Sequence, residues 1–250
     1  MPGNFLFATL FPGLLSGVLI WLWPCRWTDE VCYPQPSESQ RQLRRAWTVF
    51  VVTFGLILLL ILVSPRGYGV AHQRDYGLAD VIGQAIVWGI VLLPMYFGAK
   101  ADGLKWRDLQ YRRSNILSSL VLGTMVGMIF LVGAGKVTCL PMLFTVSGVF
   151  AGLQYLIVGF AEETLFRGYI QIRWEAVSGR LLGILLASVV MSLFHLPTLL
   201  VGGRLSILST LDEVLRMMPL SLLLGYAMHK SGNIVAPSII HLWLNWIQIL

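Results

Sequence analysis

Two adjacent glutamates and an arginine interrupt the otherwise apolar stretch GFAEETLFRGYI, from Gly159 to Ile170. On a helix, Glu163 and Arg167 are four residues apart and share one face, so they can neutralise each other as an ion pair. Glu162 points about 100° away around the helix and is left without that partner. A carboxylate in this condition can serve as a general base.

Three more polar residues occur in apolar segments near the C-terminus. His195 follows the run LLASVVMSLF, and His241 and Asn245 lie four apart on one face of PSIIHLWLNW. With Glu162, they are chemically sufficient for hydrolysis of an amide by water. The carboxylate can take a proton from water, and an imidazole can orient that water and pass a proton to the leaving amine. Two N–H donors can then hold the negative oxygen of the tetrahedral intermediate.

Each of these residues also has a structural interpretation. The Glu162 cluster can form a salt-bridged helix end at the lipid headgroups. His195 can be a hydrogen-bonded packing residue, and His241 with Asn245 can join neighbouring helices through hydrogen bonds. An ionisable side chain within a span costs about 2.5 to 3.5 kcal/mol, which favours a functional site.

The composition indicates a membrane protein made of helices. Hydrophobic residues make up 56% of the chain and charged residues 12%, and the mean hydropathy is +0.75. Soluble domains have roughly 25% charged residues. The apolar runs lack the alternation of β-barrel strands, so we predict an all-α, polytopic helical membrane bundle. Residues 1–250 form one integral membrane domain in this interpretation, with a motif-bearing core at about 143–250.

The apolar runs predict about eight transmembrane helices. Their approximate bounds are Phe5 to Trp23, Ala46 to Val63, Ala79 to Gly98, Ile116 to Gly133, Leu143 to Phe160, Leu181 to His195, Val214 to Met228 and Ile234 to Leu250.

Most of the Lys and Arg residues, Arg167 and Arg173 among them, fall in the odd-numbered loops between these spans. This bias predicts that those loops are cytoplasmic and that both termini lie outside. We interpret the longest loop, Pro24 to Arg45, as a solvated loop, with a short amphipathic helix over its tail SESQRQLRR on the lipid headgroups as the alternative. The net charge of +6 is explained by this topology and by attraction to anionic membrane lipid, so no nucleic acid partner is expected.

The polar segments resemble the motifs of a known family. EETLFR resembles EExxxR, the first motif of the CPBP family of intramembrane endopeptidases, which includes the CAAX prenyl proteases and many bacterial members once grouped as abortive-infection proteins. MSLFH, ending at His195, resembles the second motif, FxxxH, and HLWLN, from His241 to Asn245, resembles the third, HxxxN or HxxxD. The order and rough spacing agree from Gly152 to Leu250. Met191 stands where the second motif has phenylalanine.

The resemblance implies a glutamate-dependent, metal-free endopeptidase that acts on a membrane-associated protein or peptide. It makes Glu162 the base and His195 the residue that positions the water. His241 and Asn245 form the oxyanion site by the same resemblance, while Glu163 and Arg167 are supporting residues. We expect no cofactor and a location in the bacterial inner membrane.

Two other interpretations stay open. Glu162, His195 and His241 are acceptable ligand types for zinc, so a zinc-dependent protease is one alternative. A non-catalytic transporter or interaction protein, in which the polar residues line a pathway or tie helices together, is the other. The sequence has no HExxH, GxSG or GxGD signature of other membrane proteases, and it shows no paired broken helices in two similar halves.

The predicted boundaries conflict with a shared site. With spans that start at Leu143 and Leu181, Glu162 and His195 would lie roughly 28 Å and 21 Å along antiparallel helices, too far towards opposite ends to meet. We therefore expect the fifth helix to begin later and to continue past Arg167 towards Arg173. Glu162, His195, His241 and Asn245 should then surround one polar cavity, with Glu163 turned away towards Arg167.

The metal-free hypothesis makes the first testable prediction. Dialysis of the purified protein against a strong chelator should leave proteolysis at its starting rate, because a carboxylate and an imidazole can activate water without a Lewis acid. Metal analysis of the same sample should find no stoichiometric ion. Loss of activity that returns on addition of zinc would instead support the zinc alternative.

Overall fold

A computed structural model describes residues 10–23, 33–34, 36–63, 75–202 and 205–249, and the regular structure in these ranges is helical, as the sequence predicts. Phe5 and Leu250, at the two ends of the predicted spans, lie outside the described residues. The helices are α1 Phe11–Leu22, α2 Pro36–Val63, α3 Leu78–Val91, α4 Leu93–Ala101, α5 Ile116–Gly133, α6 Val146–Glu163, α7 Ile172–Ser178, α8 Arg180–Phe194, α9 Ile207–Ser231 and α10 Val235–Gln248. Shorter 3-10 helices span Trp106–Leu109 and Val137–Phe144, and π-helical segments span Thr164–Gln171 and Thr198–Gly202.

Four helical runs within the described ranges are long and apolar enough to cross a membrane: Ser37–Val63, Ile116–Gly133, Val146–Ser178 and Arg180–Val201. The pair α3 and α4, bent by 40°, makes a fifth if it is one span. Helix α1 has 12 residues and α10 has 14, fewer than the roughly 20 that a span requires. The observed helices agree with an integral membrane protein, and the count of eight spans stays a prediction.

The second helix begins earlier than the sequence predicts. Helix α2 starts at Pro36, so the interpretation of Pro24 to Arg45 as a solvated loop is wrong from Pro36 onwards, and the alternative of a helix over SESQRQLRR agrees with the structure. Proline is favoured at the first position of a helix, where no intrahelical bond needs its N–H group. Glu38 in the first turn accepts a hydrogen bond from Arg41, and the side chain of Gln42 is buried.

The helix that carries Glu162 follows the adjusted boundaries. The side chain of Thr145 accepts a hydrogen bond from the backbone N–H of Gly148 and caps α6, which begins at Val146 rather than Leu143. The helical run continues through the π-helical segment and α7 as far as Ser178. It ends at Gly179, whose φ of +79° is a conformation that glycine adopts readily. The predicted late start and the continuation past Arg167 are both confirmed.

The centre of this run is enclosed by protein. Every residue from Ala161 to Glu175 is buried. The π-helical segment Thr164–Gln171 packs against α2, α4, α8 and α9, and the neighbouring part of α6 packs against α3 and α10. A helix surrounded in this way can carry polar side chains on all faces if each finds a protein partner.

Glycines bring α10 close to two other helices. Gly123 and Gly127 lie four apart on α5, and a Cβ atom at Gly123 would be 2.7 Å from Cβ of Ile239, while one at Gly127 would overlap Trp243. On α6, a Cβ atom at Gly159 would be 2.8 Å from the carbonyl oxygen of Ser238. Small residues permit such close helix packing in membranes. These contacts hold α10, which carries His241 and Asn245, against α5 and α6.

The close approach predicts an asymmetry between two glycines. Gly127→Ala should lower the free energy of unfolding by about 1–3 kcal/mol, because the ring of Trp243 must move to admit the methyl group. Gly55→Ala on α2, where the methyl group enters open space, should be neutral or slightly stabilising. Thermal unfolding of the two variants in one detergent measures the difference, and equal midpoints would contradict this packing.

Candidate functional site

The carboxylate of Glu162 lies beside two imidazole rings. Its Oε2 atom is 3.9 Å from Nε2 of His195 and 3.7 Å from Nε2 of His241. Glu162 is 6% exposed, and this Oε2 atom is buried without a hydrogen-bond partner among the described residues. Each separation is longer than a hydrogen bond but shorter than twice the roughly 2.8 Å of an O–H···O contact. One water oxygen placed about 2.8 Å from each atom would satisfy the distances in either pair.

His195 follows the last residue of α8, and a backbone carbonyl of that helix fixes the orientation of its ring. Nδ1 of His195 lies 3.0 Å from the carbonyl oxygen of Met191. Because a carbonyl oxygen can only accept, Nδ1 donates this hydrogen bond and the proton of the neutral ring resides there. Nε2, which faces Glu162, then carries a lone pair. The side chain is 28% exposed, the most accessible of the three.

His241 is fixed in the same way by a carboxylate. Nδ1 of His241 donates to Oε1 of Glu163 at 3.0 Å, and the Nε2 atom is directed towards Glu162. The second oxygen of Glu163 accepts from Nε of Arg167 at 3.2 Å. The predicted ion pair of Glu163 with Arg167 is therefore confirmed. The expectation that Glu163 turns away from the site is wrong, because this carboxylate bridges Arg167 to His241.

Arg167 is fully buried and is held on several sides. Its Nη2 group donates to both the carbonyl and the hydroxyl oxygen of Ser221 on α9 at 2.8 Å, and Nη1 lies 3.4 Å from the hydroxyl of Ser188 on α8. Sδ of Met191 lies 2.9 Å from Nη2. The residue that departs from the FxxxH motif thus contacts Arg167 through its sulfur atom and His195 through its carbonyl.

The hydrogen-bonded side chains Glu163 and Arg167 belong to a longer row, which we call the polar row and which continues to Gln171 and Glu175. Gln171 accepts from Nη1 of Arg167 at 3.4 Å and donates to Oε1 of Glu175 at 2.7 Å. Oε2 of Glu175 accepts from the hydroxyl of Tyr33 at 2.8 Å and lies 3.5 Å from Nδ1 of His229. Sequence reasoning missed this extension. Its signal was the unbroken spacing of four residues from Glu163 through Arg167 and Gln171 to Glu175.

The row runs through the π-helical segment, whose hydrogen bonds join residues five apart instead of four. Such segments are uncommon and occur frequently at functional sites. Here the segment begins at Thr164, directly after the two glutamates. It separates Glu162 from Glu175, the last residue of the polar row.

A cavity of about 110 Å³ lies beside the two imidazoles. His195, His241 and Asn245 line it, with Asn245 one turn beyond His241 on α10. The remaining walls are mainly apolar: Met191, Met217, Leu220, Leu224 and Leu244. Glu162 is not one of the lining residues, and its carboxylate faces the Nε2 atoms of the imidazoles that are. The volume exceeds the roughly 10–15 Å³ that one water needs.

The structure thus places the carboxylate of Glu162 within 4 Å of both His195 and His241. The side chain of Asn245 lines the same cavity as the two histidines. Across the described ranges, no three side chains of His, Cys, Asp or Glu are arranged to hold one metal ion. The arrangement supplies a carboxylate, two oriented imidazoles and an amide around a small cavity. These groups can move a proton from water and can donate hydrogen bonds to a negative oxygen.

Residues 144–247 match the model of a protein family described as type II CAAX prenyl endopeptidase, Rce1-like. The matched region contains Glu162 and the three cavity-lining residues His195, His241 and Asn245, together with Glu163 and Arg167. Comparison with curated proteins gave no match, and comparison with solved structures gave none either.

The burial of Arg167 predicts a large loss of stability when its side chain is removed. Arg167→Ala leaves Glu163 charged in a buried site, which costs about 3–5 kcal/mol for such a pair. Arg216→Ala is the matched control, because Arg216 pairs with Asp212 at the same spacing on an exposed face. The control should leave the unfolding midpoint almost unchanged. Equal losses in thermal unfolding for the two variants would show that the buried pair is not a stabilising element.

Proposed function

Since the chain belongs to the CPBP/CAAX protease family, to whose Rce1-like model residues 144–247 correspond, we propose that it is an intramembrane endopeptidase that cleaves by glutamate-activated water. The family is one of membrane hydrolases. The proposed mechanism rests on one observation: Oε2 of Glu162 lies 3.7 and 3.9 Å from the Nε2 atoms of two histidines whose Nδ1 atoms are already engaged.

The first step is the activation of water. A water molecule between Glu162 and His195 donates one hydrogen to the carboxylate and the other to Nε2 of the imidazole. Glu162 takes the proton as the water oxygen attacks the carbonyl carbon of the substrate.

Hydrogen-bond counting assigns a different role to His241. Water has two hydrogens, whereas Glu162 and the two neutral imidazoles would present three acceptors to it. The water described above donates both hydrogens to Glu162 and His195, so His241 is free to act as a donor if its ring bears an additional proton. His241 contacts two carboxylates, Glu162 and Glu163, so it is the ring in which a positive charge is best compensated. As an imidazolium, its Nε2–H group can donate to the oxyanion, with the amide of Asn245 as the second donor.

Collapse of the tetrahedral intermediate completes the reaction. The C–N bond breaks, the electrons remain on nitrogen, and the proton that Glu162 took from water passes to the leaving amine, either directly or through Nε2 of His195. The products are a carboxylic acid and an amine, and Glu162 returns to its ionised form. In this scheme Glu163 positions His241 through Nδ1, as a buried carboxylate does in the serine protease triad.

The site lies within a bundle of helices in the membrane. We propose that eight helical units each cross or enter the bilayer: α1, α2, the bent pair α3 and α4, α5, the run from α6 to α7, α8, α9 and α10. The substrate is a membrane-associated protein or peptide, and the reaction uses no cofactor. We place the protein in the bacterial inner membrane as a single integral domain of residues 1–250.

The proposal predicts that Glu162→Gln and His195→Ala abolish cleavage while the protein still inserts and folds. Loss of the base should lower the rate by about 10²–10⁴-fold. Peptide termini can be compared in membranes of cells that produce the wild type or Glu162→Gln, and the peptides found can then be cleaved with purified protein. Identical termini in the two samples would overturn the proposal.

Glu163→Gln tests the positioning of His241 in the protein that remains folded, because the change also removes the ionic partner of the buried Arg167. An amide at this position keeps the shape of the side chain but removes one of the two carboxylates beside His241, so the rate should fall even where the protein is folded. Glu213→Gln on α9, where the side chain is half-buried and belongs to no part of the site, is the matched control and should retain the wild-type rate. A pH profile shifted in Glu163→Gln relative to this control would identify a change in a titrating group rather than a loss of fold.

A further inference from the structure

A second and larger cavity lies between α3, α4 and α6, and it shares no lining residue with the cavity beside the imidazoles. Its volume is about 610 Å³, within the range of roughly 300–1,000 Å³ that is typical of ligand pockets. We call it the α3–α6 groove. Leu92 and Leu93, at the break where α3 and α4 meet at 40°, line it. Pro94 in the first turn of α4 supplies no N–H group to continue the helix across this break.

The walls of the α3–α6 groove suit a hydrocarbon chain. They are formed mainly by aliphatic and aromatic side chains, among them Trp88, Leu92, Tyr96, Ile157 and Phe160. The hydroxyl groups of Tyr111 and Thr164, which also line it, form a hydrogen bond with each other. Neither hydroxyl therefore requires a polar group from an occupant.

The outer surface beside the α3–α6 groove is exposed and apolar. Ile86 and Ile90 on α3 and Leu93 and Phe97 on α4 are 58%, 39%, 46% and 60% exposed. In an integral membrane protein, this surface meets the lipid chains. A lipid chain can therefore enter the groove from the bilayer without crossing water.

Positive charge stands next to one wall of the α3–α6 groove. Trp106 lines it, and the neighbouring residues Lys105 and Arg107 are exposed. Lys100 in the last turn of α4 is exposed as well. Tryptophan is enriched at the level of the lipid headgroups, and basic residues there attract anionic lipids. The charge complements a phosphate group and selects one class of lipid.

We propose that the α3–α6 groove binds one acyl chain of an anionic glycerophospholipid, whose phosphate group is held by Lys105 and Arg107. The acyl chain leaves the hydrocarbon of the bilayer for the apolar groove, so its burial changes the affinity for different lipids very little. Selectivity comes from the headgroup. At about fivefold in affinity for each basic residue near the surface, two residues favour an anionic over a zwitterionic headgroup by roughly 30-fold. This inference does not depend on the proposed proteolysis.

The experiment titrates the purified full chain in mild detergent with dioleoyl phosphatidylglycerol or dioleoyl phosphatidylcholine and counts bound lipid by native mass spectrometry. The wild type should bind one phosphatidylglycerol saturably, roughly 30-fold more tightly than phosphatidylcholine. Lys105→Gln/Arg107→Gln should abolish this preference. The control Arg41→Gln/Arg44→Gln removes the same charge from the exposed start of α2 and should keep it. Equal binding of the two lipids by the wild type would overturn the proposal.

A pair of glycines tests the groove itself. Gly89 lines the groove and Gly83 lies on the same helix outside its lining, and a Cβ atom at either position meets open space. Gly89→Leu should fill the groove and weaken phosphatidylglycerol binding at least tenfold, whereas Gly83→Leu should bind as the wild type does. Both variants should unfold at similar temperatures because a Cβ atom at either position has no neighbour within 4 Å. Unchanged binding in Gly89→Leu, or binding that does not saturate at one lipid, would refute a single acyl-chain site.

Discussion

The buried ion pair between Glu163 and Arg167 constrains the rest of the structure. Both side chains are 0% exposed, and they lie in a protein whose surroundings offer little solvation. Taking two charges into such a place is costly unless the remaining hydrogen-bonding groups are also satisfied. The protein meets this requirement with Ser188, Ser221 and Gln171 around the guanidinium and with His241 on the free oxygen of the carboxylate. Helices α8, α9 and α10 are thereby fixed against the helix of Arg167.

The position of His241 follows from this arrangement and from the glycines that face α10. Gly123 and Gly127 on α5 and Gly159 on α6 allow α10 to approach both helices closely. The hydrogen bond from His241 to Glu163 then fixes the ring within that helix. The geometry beside Glu162 is set by packing and by a buried hydrogen bond together, which gives the preorganisation that catalytic groups require.

The sequence predicted the helical class and the Glu163–Arg167 pair, because apolar runs and four-residue spacing depend only on local geometry. The approach of His195 and His241 to Glu162 was predicted from the chemistry of a shared site and from the family resemblance. Neither argument predicted that Glu163 contacts His241, because Arg167 already gave Glu163 a partner four residues away. The topology prediction also counted Arg167 and Arg173 as loop charges, whereas both are buried. Charge counting places a residue by its type, but burial depends on which helices surround it. The π-helical segment likewise left no sign in the periodicity of so short a stretch.

The spacing of the polar partners along the chain bears on how the protein is made. Synthesis proceeds from the N-terminus, so the helix of Glu163 is completed before Ser221 and His241 exist. Arg167, four residues on, is the one partner that is present from the start. A locally neutralised pair lowers the cost of bringing both charges into the bilayer at that stage. Tyr33, already made by then, is available to Glu175 as soon as that residue emerges. The order of the residues thus supplies each buried carboxylate in this row with an early partner, and the histidine that shapes the site arrives last.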